Sequence, residues 1–253
     1  MYETTCYEES FLKEVIFRVD FPSPIESIEK TVPKGLGKAI LNRFPISEPR
    51  KAHTQEFQFT GPSFQAKSTE LTQWVYFGKE REKSLILEPG SLVISIKEYK
   101  SYEELIDDIK DVLEAFFEAF SDTSVARVGL RYVNLIDLKE PEPLSWAEHI
   151  NEEILGIIDF HDEKQNLTRV FHIVEYNFDG LAVKYQFGLA NPDYPALIKK
   201  KQFVMDIDAY SNGSFDFGDV MSGIGDAHEK VQEIFEKSIT EKLRQTMKPK
   251  DNV

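Results

Sequence analysis

Two long segments with apolar residues at helical spacing each follow a series of strand-like segments, and this order constrains the fold more than any other feature. The first helical segment spans 102–120, with Ser101 as its N-cap. The second spans about 225–247, and Pro249 stops it. Each helix has to bury its apolar stripe, and a sheet formed by the preceding strands would cover it.

The strand-like segments are recognised by alternation of apolar and polar residues. Residues 14–21 show it most clearly, with apolar side chains at every odd position. Further strands are predicted at 55–59, 71–77, 84–87, 92–98, 125–138, 168–178, 181–189 and 202–210. Short helical pieces are predicted at 24–42, where Pro and Gly interrupt the pattern, and at 146–151.

The order of these elements predicts an α+β fold with antiparallel sheet strands and the two long amphipathic helices packed on one face. Both halves, 12–122 and 123–248, read as strand, short helix, three or more strands and long helix, which predicts a structural duplication. A linker rich in Pro, Gly or Ser does not separate the halves, so one compact domain over 1–253 is predicted.

Charge and cysteine content restrict the partners and the compartment. The formal net charge of -14 makes nucleic acid an unfavourable partner, and the basic triplet Lys199, Lys200 and Lys201 is predicted to be a solvated loop or strand entry. The single cysteine, Cys6, excludes an internal disulfide framework and indicates a reducing compartment. The chain starts without a secretory pattern and contains no 18-residue apolar run, so a cytoplasmic protein outside the membrane is expected.

The segment from Arg127 to Asn134 is the most distinctive. On a strand, Arg127 and Arg131 flank Gly129 on one side, while Asn134 points to the other. Two guanidinium groups beside a glycine suit a carboxylate or phosphate, so Arg127, Arg131 and Asn134 are candidate ligand-binding residues. The alternative is that both arginines pair with acidic side chains of the protein itself.

This segment, with Leu12–Ile16 near the start and Ala227-His228 in the last helical segment, resembles a sporadically distributed family of uncharacterised prokaryotic proteins. The resemblance covers nearly the whole chain and implies one full-length domain. It implies no catalytic residue, because the family has no established activity.

Other residues with chemical potential are scattered. His172 lies on a strand with Val170 and Val174 and is either a general base or a buried neutral histidine. Asp206 and Asp208 share a strand face, and His161 lies among acidic residues, so both places are candidate metal sites against a background of abundant carboxylates. No cofactor is predicted.

Two glycine-containing motifs have structural explanations. Residues 216–218 read Asp-Phe-Gly, as in kinases, but the accompanying kinase motifs are missing. Gly223 and Gly225 lack the rest of a dinucleotide fingerprint and are predicted to mark the entry of the last helix, with Ser222 or Asp226 as its cap.

The absence of a reaction motif favours a non-enzymatic binding or assembly protein, with a basic protein or a homo-oligomer as partner. The second hypothesis is an enzyme acting on an anionic small molecule or nucleotide, held by Arg127 and Arg131, with His172 or Asp206 and Asp208 doing the chemistry. A third is an acidic neutraliser within a toxin or defence cassette, which the charge permits.

Overall fold

The computed structural model describes the backbone of residues 6–60 and 63–250 and the side chains of 6–53 and 70–250. The fold is α+β, as predicted, with a large antiparallel sheet. Its strands are β1 Leu12–Asp20, β2 Ile46–Ser47, β3 Arg50–Thr60, β4 Ser63–Phe77, β5 Lys83–Glu88, β6 Ser91–Ile96, β7 Val125–Leu138, β8 Val170–Phe178, β9 Leu181–Leu189 and β10 Lys201–Phe215. The α-helices are α1 Glu26–Lys30, α2 Lys34–Arg43, α3 Tyr102–Ala119, α4 Glu152–Leu155, α5 Phe217–Ser238 and α6 Glu241–Met247.

The chain divides into two compact units. Unit 1 contains Met1–Val15, Gly129–Ser211 and Ser222–Val253, and unit 2 contains Ile16–Val128 and Asn212–Met221. The element order strand, short helix, strands and long helix recurs along the chain. A common origin of the halves 12–122 and 123–248, and a single compact domain over 1–253, stay predictions.

Unit 2 has its strands in the order β2, β4, β5, β6 and β1, and β3 also pairs with β4. Helix α3 begins where predicted, because the Ser101 hydroxyl accepts a hydrogen bond from the Glu104 amide at 3.3 Å. The Phe116 ring of α3 stacks on Phe21 just after β1, with 4.9 Å between centroids. This contact packs the apolar stripe of α3 on the sheet of its own unit.

Unit 1 has its strands in the order β7, β10, β9 and β8. Asp179 and Gly180, with φ of 52° and 100°, join β8 to β9 in a two-residue turn that suits hairpins. Helix α5 covers one face, where the Tyr185 hydroxyl donates to Ser238 Oγ at 2.9 Å. The strand β10 presents Phe203, Met205, Ile207 and Ala209 to the core, all with no exposed surface.

The last helical segment differs from its prediction. The predicted start near Gly225 is wrong, because α5 begins at Phe217, where Asp216 Oδ1 accepts from the Asp219 amide at 2.9 Å and Asp219 Oδ2 from the Asp216 amide at 3.1 Å. Ser222 and Gly223 therefore lie inside the helix rather than at its entry.

The predicted continuous helix also breaks after Ser238. Ile239 forms a β-bridge with Ile150, and Thr240 caps α6 by accepting from the Leu243 amide at 3.4 Å. The short helix predicted at 146–151 is a single turn, in which the amides of His149 and Ile150 both donate to the Trp146 carbonyl at 2.9 Å. The helix α4 follows it, capped by Asn151. The described residues contain no helix that is long and apolar enough to span a membrane.

Candidate functional site

Arg131 and Asp206, two residues predicted for different sites, contact each other in unit 1. The Arg131 guanidinium on β7 donates from Nε to Asp206 Oδ1 at 2.6 Å and from Nη2 to Asp206 Oδ2 at 2.5 Å. This hydrogen-bonded carboxylate raises the pKa of Arg131. An anionic ligand at Arg131 would therefore compete with a bidentate carboxylate that belongs to the protein.

Arg127 belongs to unit 2 and also lies beside an acidic residue. Its Nη1 is 3.8 Å from Asp20 Oδ2 at the end of β1, and Asp20 Oδ1 accepts from Arg18 Nε at 2.8 Å and from Arg18 Nη2 at 2.6 Å. These contacts match the structural alternative given for the arginines.

Asn134, the third predicted ligand-binding residue, is buried on the other face of β7 from Arg131. It shares this face with Tyr132, whose hydroxyl lies 3.0 Å from His228 Nδ1 on α5. Asn134 and Arg131 thus do not point to a common site.

His172 on β8 is half-buried and stacks on Phe187, with 5.1 Å between ring centroids. Its Nε2 is buried without a hydrogen-bond partner among the described residues. Val170 and Val174 on the same face are half-buried too, whereas Tyr176 and Phe178 further along are exposed. The predicted inward face of this strand is therefore buried only in part.

The metal candidates are not brought together. Asp206 pairs with Arg131, and Asp208 lies across from Lys184 of β9. In the part of the chain that the structure describes, no group of three or more His, Cys, Asp or Glu side chains is placed to hold a metal ion, and this includes His161 and its acidic neighbours.

A polar cluster around the buried side chains of Lys201 and His149 in unit 1 lies outside the sites predicted from the sequence. Lys201 begins β10, in agreement with the predicted strand entry. Its side chain is only 2% exposed, so the prediction that all three lysines are solvated is wrong. Its Nζ lies 2.5 Å from Glu140 Oε2 and 5.3 Å from the centroid of the Trp146 ring. His149 is buried 3.4 Å from Glu140, and desolvation lowers the His149 pKa, so the cluster is built around one ion pair and a neutral imidazole.

Unit 2 contains a small cleft beside the first turn of α3. Its volume is about 70 Å³, and Lys83 and Asp108 line it, bonded to each other at 2.7 and 2.8 Å. Burial raises the pKa of Asp108. Pockets for metabolites typically measure about 300–1,000 Å³, so this cleft accommodates only a few waters.

Four exposed large apolar side chains of unit 1 lie on β8: Phe171, Ile173, Tyr176 and Phe178. This strand ends the hydrogen-bonded order, so among the described residues only β9 pairs with it. Phe171 and Ile173, on the face opposite His172, are 50% and 60% exposed. The strand has apolar residues at both odd and even positions, a pattern typical of strands that are covered on both faces.

Exposed apolar side chains also flank β8 in sequence. Phe160 precedes it, and Tyr194 and Leu197 follow β9. The loop that contains Tyr194 lies at the start of β8, because Asn191 Nδ2 donates to the Thr168 carbonyl at 2.9 Å and the Arg169 guanidinium lies 4.3 Å from the Tyr194 ring centroid. We call β8 with Arg169 the β8 edge.

Comparison with protein-family models gives no match, and comparison with curated proteins gives none either. The functional interpretation therefore depends on the geometry of the chain itself.

Proposed function

We propose that this chain is a binding or assembly protein that associates with a protein strand through the β8 edge. One observation carries the proposal. A nine-residue strand ends the sheet order, and its outer face exposes Phe171 and Ile173. An edge strand of this length offers a row of backbone donors and acceptors to another chain, and exposed apolar side chains beside them supply the hydrophobic part of the contact.

The contacts of the predicted chemical residues support association over catalysis. Arg131 and Asp206 bond to each other, and Arg127 lies beside Asp20. A substrate anion would compete with these carboxylates for the same guanidinium groups. Strand addition at β8 meets no such competition.

Two other hypotheses concern the family and the biological setting of the protein rather than the geometry of a site. Membership of the uncharacterised prokaryotic family and a role as acidic neutraliser stay predictions. Each is compatible with association through β8, since neither specifies a different surface.

The proposed function is tested on the chain purified gently from its native source. Native mass spectrometry would show a species heavier than the 29.2 kDa chain. Amide hydrogen exchange on the intact species and on the dissociated chain would show slower exchange at β8 in the intact species, because strand addition satisfies the outward N–H groups. The amides of β6 inside the sheet serve as the matched control and keep their rates.

Two results would overturn this function. One is a chain that stays a 29.2 kDa monomer in its native source. The other is a complex in which β8 exchanges as fast as in the free chain, because the partner would then contact another surface.

A further inference from the structure

We infer that the partner strand is β8 of a second copy of this chain, paired antiparallel with His172 opposite His172 of the other copy. The inference rests on the proposed function and names the partner of the same surface. It follows from the order of side chains along 169–175, which is complementary to itself when the strand is reversed.

Geometry limits the number of registers. A twofold axis normal to the sheet places residue i opposite residue j with a constant sum i + j. Two residues directly opposite each other in an antiparallel pair point their side chains to the same face, whereas neighbouring residues of one strand point to opposite faces. A residue therefore cannot lie opposite its own neighbour in the other copy. The axis has to pass beside one central residue that lies opposite itself. The candidate centres along 171–175, the stretch that contains Phe171 and Ile173, are Phe171, His172, Ile173, Val174 and Glu175.

In the register centred on His172, each outer-face pair along 169–175 consists of complementary side chains. Arg169 lies opposite Glu175, and Phe171 lies opposite Ile173. Each of these contacts occurs twice because of the symmetry. On the inner face, Val170 lies opposite Val174, so apolar side chains again meet apolar side chains.

Each of the other registers places a charged side chain opposite an apolar one or opposite one of the same charge. Centring on Phe171 places Arg169 opposite Ile173. Centring on Ile173 places Phe171 opposite Glu175, and centring on Val174 places Ile173 opposite Glu175. Centring on Glu175 places two carboxylates opposite each other, which is destabilising. The outer-face sequence therefore specifies one register.

The two charged side chains of this pairing, Arg169 and Glu175, are both accessible to a second copy. Arg169 is exposed and lies over the ring of Tyr194, and Glu175 is exposed across from Lys184 of β9. The net charge of -14 opposes the approach of two copies at long range. At physiological salt the Debye length is about 8 Å, so this repulsion is screened while directly opposed groups still attract each other.

The test is sedimentation of the pure full-length chain over a range of concentrations, with far-ultraviolet circular dichroism to verify the fold. We expect a monomer–dimer equilibrium. The single variants Arg169→Glu and Glu175→Arg each oppose like charges twice and should raise the dimer Kd at least about tenfold. The double variant restores both pairs and should return the Kd to within about threefold of the parent.

A parent chain that sediments as a monomer at every concentration would overturn this inference, and so would a double variant no tighter than either single variant. The uncharged variant Glu175→Gln provides a second measurement and should fall between the parent and Glu175→Arg. A monomeric pure chain would reject the second copy as partner, while slower exchange at β8 in the native complex would still support the proposed function.

Discussion

The two units end their strand orders in different ways. In unit 2 the outermost pairing to β4 comes from β2, which has two residues, and from β3, and Pro49 separates them. Arg50 and Lys51 then open β3. In unit 1 the last strand, β8, runs for nine residues with neither Pro nor Lys.

This difference indicates that one edge is protected and the other is not. Short strands, Pro and Lys at an edge prevent pairing with other chains, because they remove donors and carry charge into the contact. The edge of unit 2 has the two-residue β2 and Pro49, and its longer strand β3, with eleven residues, opens with the basic side chains of Arg50 and Lys51. Since the same sequence contains these devices in one place and lacks them at β8, we attribute the exposed β8 edge to a function in association.

Adding a charge to the unprotected edge should have the largest effect. Ile173→Lys places an ammonium group opposite Phe171 in both symmetry-related positions, and we expect it to weaken association about 100-fold, since each contact loses roughly 1–2 kcal/mol. Because Ile173 is mostly exposed, the free energy of unfolding should change by no more than about 0.5 kcal/mol.

The matched control is Leu41→Lys on α2, an exposed apolar residue away from any strand edge. It should leave the Kd of association unchanged. Equal weakening by both substitutions would mean that added charge alone, rather than its position at β8, controls association.

Removing the protection of unit 2 should have the next largest effect. We propose Pro49→Val, Arg50→Thr and Lys51→Val together in an Ile173→Lys chain, so that β8 is already blocked. The change should produce new self-association on the order of tenfold tighter than in the Ile173→Lys parent, measured by light scattering. A chain that stays monomeric would show that Pro and charge are not what keeps this edge unpaired.

A smaller effect, on the free energy of unfolding, is expected at Arg131 and Asp206, which already pair with each other. In a double-mutant cycle of Arg131→Gln and Asp206→Asn, urea unfolding should give a coupling of about 1 kcal/mol, because the pair is bidentate but Arg131 is partly exposed. Dimer Kd should not change. If unfolding shows no coupling and a metabolite binds only the parent, Arg131 is a ligand site after all.

The smallest effect is predicted at Tyr176, which is exposed but lies beyond the paired stretch 169–175. Tyr176→Ser should change the dimer Kd by less than about threefold, because it loses only an edge contact with Phe178. Sedimentation would measure this. A loss as large as that of Ile173→Lys would favour a register centred on Ile173 or Val174, which place Tyr176 opposite Val170 or His172.

Local patterns predicted the elements better than their ends and contacts. Helix α3 could be predicted because its apolar stripe and Ser101 cap are local. The break at Thr240 could not, since it depends on Ile239 bridging to Ile150, 89 residues away in sequence. Likewise, alternation placed Arg131 on one face of a strand, but only the pairing of β7 with β10 brought Asp206 beside it.

The β8 edge escaped prediction for the same reason. Alternation shows which side chains share a face, and β8 has apolar residues on both, which suggests a covered strand. Whether another strand follows it in the sheet depends on topology. The strand β8 has apolar residues on both faces, and only the strand order shows that its outer face is exposed.

Disulfide trapping at residue 172 tests the central claim, that β8 pairs with β8 of a second copy, most directly. In a Cys6→Ser chain, which removes the native thiol, we would compare His172→Cys with Ile173→Cys and Val174→Cys under mild oxidation. Directly opposed Cα atoms lie about 4.5–5.5 Å apart, within the range of roughly 4.4–6.8 Å that a disulfide accepts. We predict a covalent dimer from His172→Cys alone. Equal trapping at all three positions, or none at residue 172, would contradict the account.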